Sequence, residues 1–300
     1  MDVIAADQLR KHYGLVRALD GLHLRVPAGA IFGFLGPNGA GKTTTIRILL
    51  GLMRPTAGTA TVFGLDAWRD SLRIRERVGY LPGDLRLHEG LTGRGTLTFF
   101  ADARRRDCRA EIERLAARFE VDLGRRVRAY SKGNRQKIGL IQALMHRPEL
   151  LILDEPTASL DPLMQRTLYE ELREAAARGT TILFSSHTLS EVEALCEHVA
   201  IVRAGRLVEC ERIDTLRARA VRRVECVFAD GPRPDPPPGL RAAAGENGRL
   251  IGSWTGPVEP LLAWLARSPV TDVTISPPDL ETLFMTYYGD EPRTEGQALT

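Results

Sequence analysis

Apolar residues along the first 80 positions alternate with turns in the manner of an α/β protein. Residues 30–35 (AIFGFL) form a short apolar run closed by a glycine-rich turn, which is typical of a buried strand. From Gly41 the apolar positions recur at helical spacing until Pro55 ends the pattern. Further strands are predicted at residues 59–63 and 77–81. A strand that leads through a glycine-rich turn into a helix is the βα unit of an α/β fold.

The middle of the chain changes to helical periodicity and then returns to strands. Between about residues 84 and 148 apolar positions recur at three- and four-residue spacing, for example at Ile112 and Leu115. The elements predicted after it are a strand at 150–153, a helix at 163–177, a strand at 180–184 and a hairpin at 199–210. A helical insertion therefore interrupts an α/β core.

The C-terminal part has a different composition from the rest. Residues 231–239 (GPRPDPPPG) are dense in proline and are predicted to be a loop. The elements predicted around it are strands at 222–228, 250–254 and 270–275 and helices at 258–266 and 280–288. We therefore predict a main domain over residues 1–215, a small α+β module over 216–290 and a frayed tail over 291–300.

Composition narrows the class of protein. The chain has 300 residues, of which 43% are hydrophobic and 26% charged, as in ordinary globular proteins. Its 41 basic and 38 acidic residues give a net charge of +3, which does not require a nucleic acid or an anionic membrane as partner. The N-terminus lacks a signal-peptide pattern, and no apolar run approaches the roughly 20 residues that cross a bilayer. A cytoplasmic protein that reaches the membrane through a partner is expected.

The cysteines could suggest a metal site and the arginines a nucleic-acid site, but neither site is predicted. The four cysteines show no CxxC pair and no metal-ligand spacing, so free buried thiols are predicted. Arginines concentrate between residues 104 and 128, but acidic residues are interleaved with them and Phe119 is the one aromatic residue there. A solvated helical face with charge pairs four residues apart is the preferred interpretation, and no nucleic-acid partner is expected.

A phosphate-binding motif is the strongest chemical signal. The motif, called the phosphate loop below, consists of Gly36, Pro37, Asn38, Gly39, Ala40, Gly41, Lys42, Thr43 and Thr44. Its glycines allow several backbone N–H groups to point at one anion, and the helix that follows adds its positive end. Lys42 would reach the β- and γ-phosphates of ATP, and the Thr43 hydroxyl would hold Mg²⁺.

A pair of acids ends the strand at residues 150–153. Asp154 and Glu155 would lie at the carboxyl edge of a parallel sheet, beside the phosphate loop. Asp154 would bind Mg²⁺ directly or through water, and Glu155 would orient and deprotonate the attacking water. By themselves, acids at a strand end are often helix caps. The preceding phosphate loop favours the catalytic interpretation.

With these motifs in order, the chain resembles the nucleotide-binding domains of ABC transporters. The family's signature sequence, usually Leu-Ser-Gly-Gly-Gln, corresponds here to residues 130–134 (YSKGN), called the signature segment below. Ser131 and Gly133 match, whereas Lys132 and Asn134 depart from the usual form. The resemblance implies that Ser131 and Gly133 contact the γ-phosphate of ATP bound to a second subunit. Without it, a Ser-x-Gly before a helix is only an N-cap.

Three further segments match the family in sequence order. Residues 156–161 (PTASLD) resemble the loop that joins the two active sites of the dimer, and His187 matches the switch histidine that contacts the γ-phosphate. A histidine at a strand end could alternatively cap the next helix. Tyr13 stands where the family stacks an aromatic ring on adenine. One position departs: Gly83 replaces the Gln that touches Mg²⁺ and water, and Asp84 is the candidate substitute.

The resemblance implies both the fold and the function. The fold is a P-loop NTPase core with an antiparallel β subdomain and a helical insertion, followed by a small C-terminal α+β module. The function is ATP hydrolysis that powers transport through a separate membrane permease, with two nucleotide-binding subunits per transporter. The C-terminal module resembles the tail of a group that pairs with six-helix export permeases, including drug- and antibiotic-resistance pumps. The alternatives are an ABC ATPase acting on ribosomes or DNA, and a non-hydrolysing ATP sensor suggested by Gly83.

Overall fold

A computed structural model describes residues 1–219, 222–229, 235–244 and 249–278. The chain divides into two compact units, Met1–Ile213 and Asp214–Thr300. Each is treated by itself below. In the described ranges, every helix is too short or too polar to cross a membrane.

The first unit contains ten strands in two sheets. The strands are β1 (Asp2–Tyr13), β2 (Val16–Pro27), β3 (Ile31–Leu35), β4 (Ala57–Val62), β5 (Leu65–Asp66), β6 (Val78–Leu81), β7 (Leu150–Asp154), β8 (Thr181–Ser186), β9 (His198–Arg203) and β10 (Arg206–Arg212). The helices along the chain are α1 (Lys42–Leu49), α2 (Ser71–Glu76), α3 (Gly93–Ala103), α4 (Arg109–Arg118), α5 (Lys132–Leu144), α6 (Pro162–Ala177), α7 (Leu189–Leu195), α8 (Ile213–Arg219) and α9 (Val258–Ala266).

A six-stranded sheet forms the centre of this unit, in the order β10-β9-β3-β8-β7-β6. All neighbours are parallel except β10, which pairs antiparallel with β9 at the edge. Every residue of β3, β7 and β8 is buried. Strands covered on both faces need continuous apolar runs, which explains why the sequence shows runs rather than alternation here.

A four-stranded antiparallel sheet, in the order β2-β1-β4-β5, packs against this centre. One hydrophobic cluster joins the two sheets and α1, and it includes Ile4, Leu24, Phe34, Ile46 and Ile152. Burying each of these side chains contributes about 1.5–3 kcal/mol to folding. The predicted P-loop core with an antiparallel β subdomain is therefore confirmed.

The helical insertion consists of α3, α4 and α5, with a short 3₁₀ turn at Val127–Ala129. Thr92 caps α3 by accepting a hydrogen bond from the backbone N–H of Gly95 at 3.0 Å. The interpretation of its arginines as a solvated face is wrong in part. Arg104 is half-buried, and Arg114 pairs with Glu171 on α6, which is 0% exposed. Partners 57 positions apart are invisible to a rule for neighbours on one helix.

The second unit contains a separate antiparallel sheet. Its strands are β11 (Arg222–Phe228), β12 (Leu240–Ala244), β13 (Arg249–Trp254) and β14 (Val270–Pro278), in the order β12-β13-β11-β14. A core that includes Val224, Phe228, Trp254 and Trp264 lies between the sheet and α9. Strand β12 was not predicted. The predicted helix at 280–288 and the tail at 291–300 lie outside the described residues.

All four cysteines are free. Cys108, Cys196 and Cys226 are buried as predicted, but Cys210 is exposed. The prediction is wrong there because Cys210 lies on β10, the edge strand of the central sheet. Successive residues of this strand alternate between exposed and half-buried side chains.

Candidate functional site

The phosphate loop connects β3 to α1 at the carboxyl edge of the central sheet. Gly39 and Gly41 adopt φ of 83° and 105°, values that a side chain strongly disfavours. A Cβ at Gly36 would lie 2.4 Å from the backbone oxygen of Val202, so the close approach of two strands also requires glycine. Gly41 precedes α1 with no side chain capping the helix. The first N–H groups of α1 are therefore available to an anion.

Lys42 is enclosed at the base of this loop, with 6% of its surface exposed. Its Nζ donates to the backbone oxygens of Gly36 at 2.5 Å and Pro37 at 3.4 Å. The same ammonium lies 3.4 Å from Oε1 of Glu155. A buried ammonium with a carboxylate at this distance is compensated in charge, and its carbonyl partners hold it inside the loop.

Thr43 and Asp154 bring oxygen atoms together at the start of α1 and the end of β7. The Thr43 hydroxyl donates to Oδ2 of Asp154 at 2.8 Å, and the Ser185 hydroxyl donates to Oδ1 at 2.6 Å. Asp154 is 1% exposed. One hydroxyl and one carboxylate oxygen are hard ligands of the kind that Mg²⁺ prefers, so this donor set fits the ion.

Glu155 links the acid pair to His187. Its backbone has φ of 52°, an uncommon conformation for a residue with a side chain. Its N–H donates to the backbone oxygen of Ser185 at 3.2 Å, which attaches the turn to β8. Its Oε2 lies 2.6 Å from Nδ1 of His187. The carboxylate therefore stands between Lys42 and His187 and is 21% exposed, within reach of water.

The signature segment begins α5. The Ser131 hydroxyl accepts a hydrogen bond from the backbone N–H of Asn134 at 3.2 Å and so caps the helix. A Cβ at Gly133 would lie 2.7 Å from the backbone oxygen of Ser159, which belongs to the loop after Glu155. Gly133 thus lies against the loop of residues 156–161, and Ser131 contacts the first turn of its own helix.

Two residues that hold the acid pair in place were not predicted from the sequence. Gln136 is 8% exposed and donates from Nε2 to the backbone oxygen of Pro156 at 3.1 Å, so it connects α5 to the turn that follows Glu155. Ser185 supports Asp154 as described above. Gln136 follows the signature segment closely, but nothing local marks either residue, because their partners lie 20 and 31 positions away.

Tyr13 ends β1 and is 46% exposed. Its hydroxyl donates to the sulfur of Met53 at 2.8 Å, and Nζ of Lys11 lies 5.2 Å from the ring centroid. The open ring face is compatible with stacking on a base. Adenine binding by Tyr13 stays a prediction.

Gly83 lies beside Asp154, whereas the side chain of the next residue, Asp84, is exposed to solvent. A Cβ at Gly83 would lie 3.4 Å from Oδ2 of Asp154, so this position adjoins the proposed ion ligands. The Asp84 side chain is 73% exposed and pairs with Arg86 at 2.9 Å. Nearby, burial and the charge of Asp154 raise the pKa of Tyr80 to about 12, which keeps its phenol protonated.

Comparison with known proteins identifies the family. The family described as ABC transporter matches residues 19–158. The chain is 41% identical over 220 residues to the daunorubicin resistance ATP-binding protein DrrA3 of Streptomyces coeruleorubidus, covering 72% of this chain and 70% of that protein. It is 37% identical over 235 residues to the bacitracin transport ATP-binding protein BcrA of Bacillus licheniformis, covering 76% of each.

Solved structures agree with the sequence comparison. The structure of an ATP-binding subunit of an ABC transporter superposes with a TM-score of 0.67 at 31% identity, covering 72% of this chain and 92% of that one. A dimeric bacterial ABC transporter cassette superposes with a TM-score of 0.64 at 19% identity, covering 70% and 98%, and shares the fold. The chain belongs to the ATP-binding subunits of ABC transporters, which bind and hydrolyse ATP to power transport.

Proposed function

We propose that this chain is the ATPase of an exporter and that its reaction centre is built around Glu155. The observation that carries the proposal is the contact of Glu155 with both Lys42 at 3.4 Å and His187 at 2.6 Å. A base, a phosphate-binding cation and a polarising imidazole are thereby held together at one sheet edge. That arrangement suits hydrolysis of a phosphoanhydride.

The phosphate loop would bind the triphosphate of ATP. Backbone N–H groups of its glycine-rich turn and of the first turn of α1 would point at the β-phosphate, and Lys42 would exchange its carbonyl partners for phosphate oxygens. Tyr13 would stack on the adenine. Thr43 and Asp154 would hold Mg²⁺, which neutralises charge on the β- and γ-phosphates when bound.

Glu155 would act on the attacking water. Its carboxylate would accept the proton of a water in line with the γ-phosphate, while Nδ1 of His187 holds Oε2 and keeps the other oxygen toward the site. His187 is 57% exposed at its side chain, so its second ring nitrogen can meet the γ-phosphate from the solvent side. Ser185 stabilises the position of Asp154 beneath them.

A second copy of the chain would complete each site. Ser131 and Gly133 lie at the N-terminal end of α5, where free N–H groups favour an anion. Their contacts in the described residues are with residues 156–161 and the start of α5. A head-to-tail dimer would bring the signature segment of one copy to the γ-phosphate in the other. A heterodimer with a sister subunit would work in the same way.

An integral membrane permease is the proposed second partner. A groove in the first unit is lined by Leu50, Leu52, Tyr80, Leu85, Leu87 and Phe100. The lining also includes Arg75, Arg86 and Gln142. Leu52 is 55% exposed, and Phe99, next to the lining residue Phe100, is 61% exposed. Within the described residues, Arg104 donates to the backbone oxygens of Arg75 and Val78 and meets no carboxylate. An apolar helix of the permease that carries an acidic side chain fits this groove.

The names of the relatives support a proposal for the cargo. Two of them carry the names daunorubicin resistance and bacitracin transport, and a third, from Paraburkholderia xenovorans, is a Nod factor export ATP-binding protein at 40% identity. These names support transport of a small molecule, and we propose export as its direction. The chain would act in the cytoplasm at the inner face of the cell membrane.

The chain would be organised as a nucleotide-binding domain over residues 1–215, a small module over 216–290 and a tail. The division between Ile213 and Asp214 supports this organisation. The module would stabilise or regulate the subunit rather than contact ATP.

Phosphate release by the purified chain tests the assignment. We expect Glu155→Gln to lower kcat by about 10²–10⁴-fold while ATP still binds, because the amide cannot accept the proton. Glu120→Gln is a matched control, since Glu120 is an exposed glutamate with the same φ of 52°. Equal and negligible turnover by the wild type and Glu155→Gln, with ATP bound, would instead favour the sensor alternative.

The groove is tested separately with a candidate permease that is co-expressed with this chain. Phe99→Ser and Arg104→Gln should release the chain from the detergent-solubilised permease. Leu262→Ser, a change at a residue 52% exposed on α9, should leave the complex intact. Retention of both groove variants would exclude this surface as the docking site.

A further inference from the structure

Glu171 is a buried carboxylate that the reaction does not use. It lies on α6, the helix that begins at Pro162 directly after the loop of residues 156–161, and it is 0% exposed. The two other glutamates on this helix are open to solvent, with Glu170 47% and Glu174 46% exposed. A charge in such a position requires specific partners.

Those partners come from the helical insertion. Arg114 of α4 donates to both oxygens of Glu171, at 3.0 Å and 2.6 Å. Arg118, one turn further along α4, lies 3.2 Å from Oε2. Arg178 approaches from the end of α6 at 3.7 Å. A fork of two parallel N–H···O bonds fixes direction as well as distance, so α4 is held at one orientation over α6.

The same arginine extends the network to α5. Arg114 donates to Oε1 of Glu111 at 2.6 Å, and the other oxygen of Glu111 accepts from Arg147 at 2.9 Å. Glu111 is itself 9% exposed. Arg147 follows the C-terminal end of α5, the helix whose N-terminus is Ser131. Charged bonds therefore connect α6 through α4 to the helix that presents the signature segment.

Apolar contacts alone would not fix the orientation of α4 relative to α6. Packed side chains tolerate small sliding movements of one helix along another, whereas a buried charge that loses its partner incurs a large penalty. The signature segment must meet an ATP molecule on a different chain, so a small rotation of α5 would move Ser131 and Gly133 away from it.

We propose that Glu171 is a positioning residue, which sets the orientation of the helical insertion so that the signature segment can close on ATP held by a second copy of this chain. The proposal rests on the shared site described under Proposed function. A positioning role differs from a purely stabilising role because loss of Glu171 should affect one of two steps and not the other. Binding of ATP by one chain does not involve α4, whereas closure of two chains around ATP does.

The test compares these two steps in the Glu155→Gln background with ATP and Mg²⁺. Glu171→Gln should leave the Kd of the single chain for ATP unchanged and weaken the ATP-dependent dimer by about tenfold or more. Arg166→Gln is the control from the same helix, because Arg166 is 81% exposed and pairs with Glu170 within α6, and it should change the dimer less than about twofold. Measurements are a fluorescent-ATP titration on dilute protein and sedimentation velocity on concentrated protein.

A second variant guards against failure of Glu171→Gln to fold. Arg114→Gln removes the other partner, which is 36% exposed, and should weaken the dimer to a similar extent. The double variant should be little worse than Arg114→Gln alone, because that change already removes both bonds from Arg114 to Glu171. If the Glu155→Gln parent stays monomeric, the shared-site proposal fails and this one fails with it. If the parent dimerises and the folded variants dimerise equally well, only the role of Glu171 is overturned.

Discussion

The phosphate loop and the signature segment are two candidate ATP-binding regions of one chain, and their side chains are connected in different ways. Lys42, Thr43 and His187 each contact Asp154 or Glu155 directly, over 2.6–3.4 Å. Ser131 is engaged in capping its own helix, and Gly133 adjoins the loop at Ser159. The first region is assembled within the chain, whereas the second presents a helix end.

This difference has a consequence for what one chain can do. A region whose groups already contact one another can bind a nucleotide with little reorganisation. A helix end such as the signature segment would bind an anion that another molecule brings to it. We therefore propose that ATP binding and completion of the site are separate steps.

Removal of Lys42 should disrupt the phosphate loop and cause the largest loss of ATPase activity. Lys42→Ala deletes the enclosed ammonium that would bind phosphate and leaves Glu155 without its cation. We expect kcat/KM for ATP to fall by about 100-fold or more, together with loss of ATP binding by the single chain. Isothermal calorimetry and phosphate release measure the two effects.

Lys137→Ala is the control, because Lys137 lies within α5, away from the helix end that carries Ser131. It should retain near-wild-type ATP binding. Normal ATP binding by Lys42→Ala would refute the assignment of the phosphate loop.

A methyl group at Gly133 should break the signature segment alone. Its Cβ would meet the backbone oxygen of Ser159 at 2.7 Å, so the turn must shift. We expect Gly133→Ala to reduce turnover by about tenfold while the single chain binds ATP as the wild type does. Gly124→Ala, where the added atom meets only the Asp122 side chain at 3.3 Å, is the control. A parallel loss of ATP binding would show that the two regions are not separable.

Acid should weaken the support of the signature segment through protonation of Glu111. Burial would raise the pKa of Glu111, but hydrogen bonds from Arg114 and Arg147 outweigh it and hold that pKa below its ordinary value of 4.5. A lowered pKa means that Glu111 stabilises the fold above about pH 4.5 and ceases to do so as the pH falls through the folded-state value.

The corresponding measurement is thermal unfolding between pH 7 and pH 3.5. The Tm of the wild type should lose about 2–4 °C more than that of Glu111→Gln over the acid part of this range. Identical pH profiles for the two proteins would contradict the contribution of Glu111.

Asp84 should matter least. It is 73% exposed and pairs with Arg86, so Asp84→Asn should change kcat by less than about twofold. Asp154→Asn, which alters a carboxylate 1% exposed beside Thr43, should cause a far larger loss. A large effect at Asp84 would show that it substitutes for the side chain missing at Gly83.

Sequence patterns predicted the parts of this molecule that local chemistry determines. The apolar runs of β3, β7 and β8 and the glycines of the phosphate loop are readable because burial on both faces and positive φ restrict the residues at each position. The order of motifs then placed Asp154 and Glu155 at the same sheet edge as Lys42.

The features that sequence patterns did not predict depend on distant partners. Gln136, Ser185 and Glu171 acquire their roles from residues 20, 31 and 57 positions away. The exposure of Cys210 depends on which strand forms the edge of the sheet. Periodicity and spacing record a residue's neighbours along the chain, so such relationships require the folded structure.

One chain should bind ATP, and a second chain should complete the site around that ATP. Light scattering and nucleotide counting on Glu155→Gln with ATP and Mg²⁺ test it most directly. We predict a species of twice the 33.1 kDa chain mass that carries one ATP per chain and reverts to monomer when Ser131→Ala is added. A 33.1 kDa species that is saturated with ATP at every protein concentration would contradict the account.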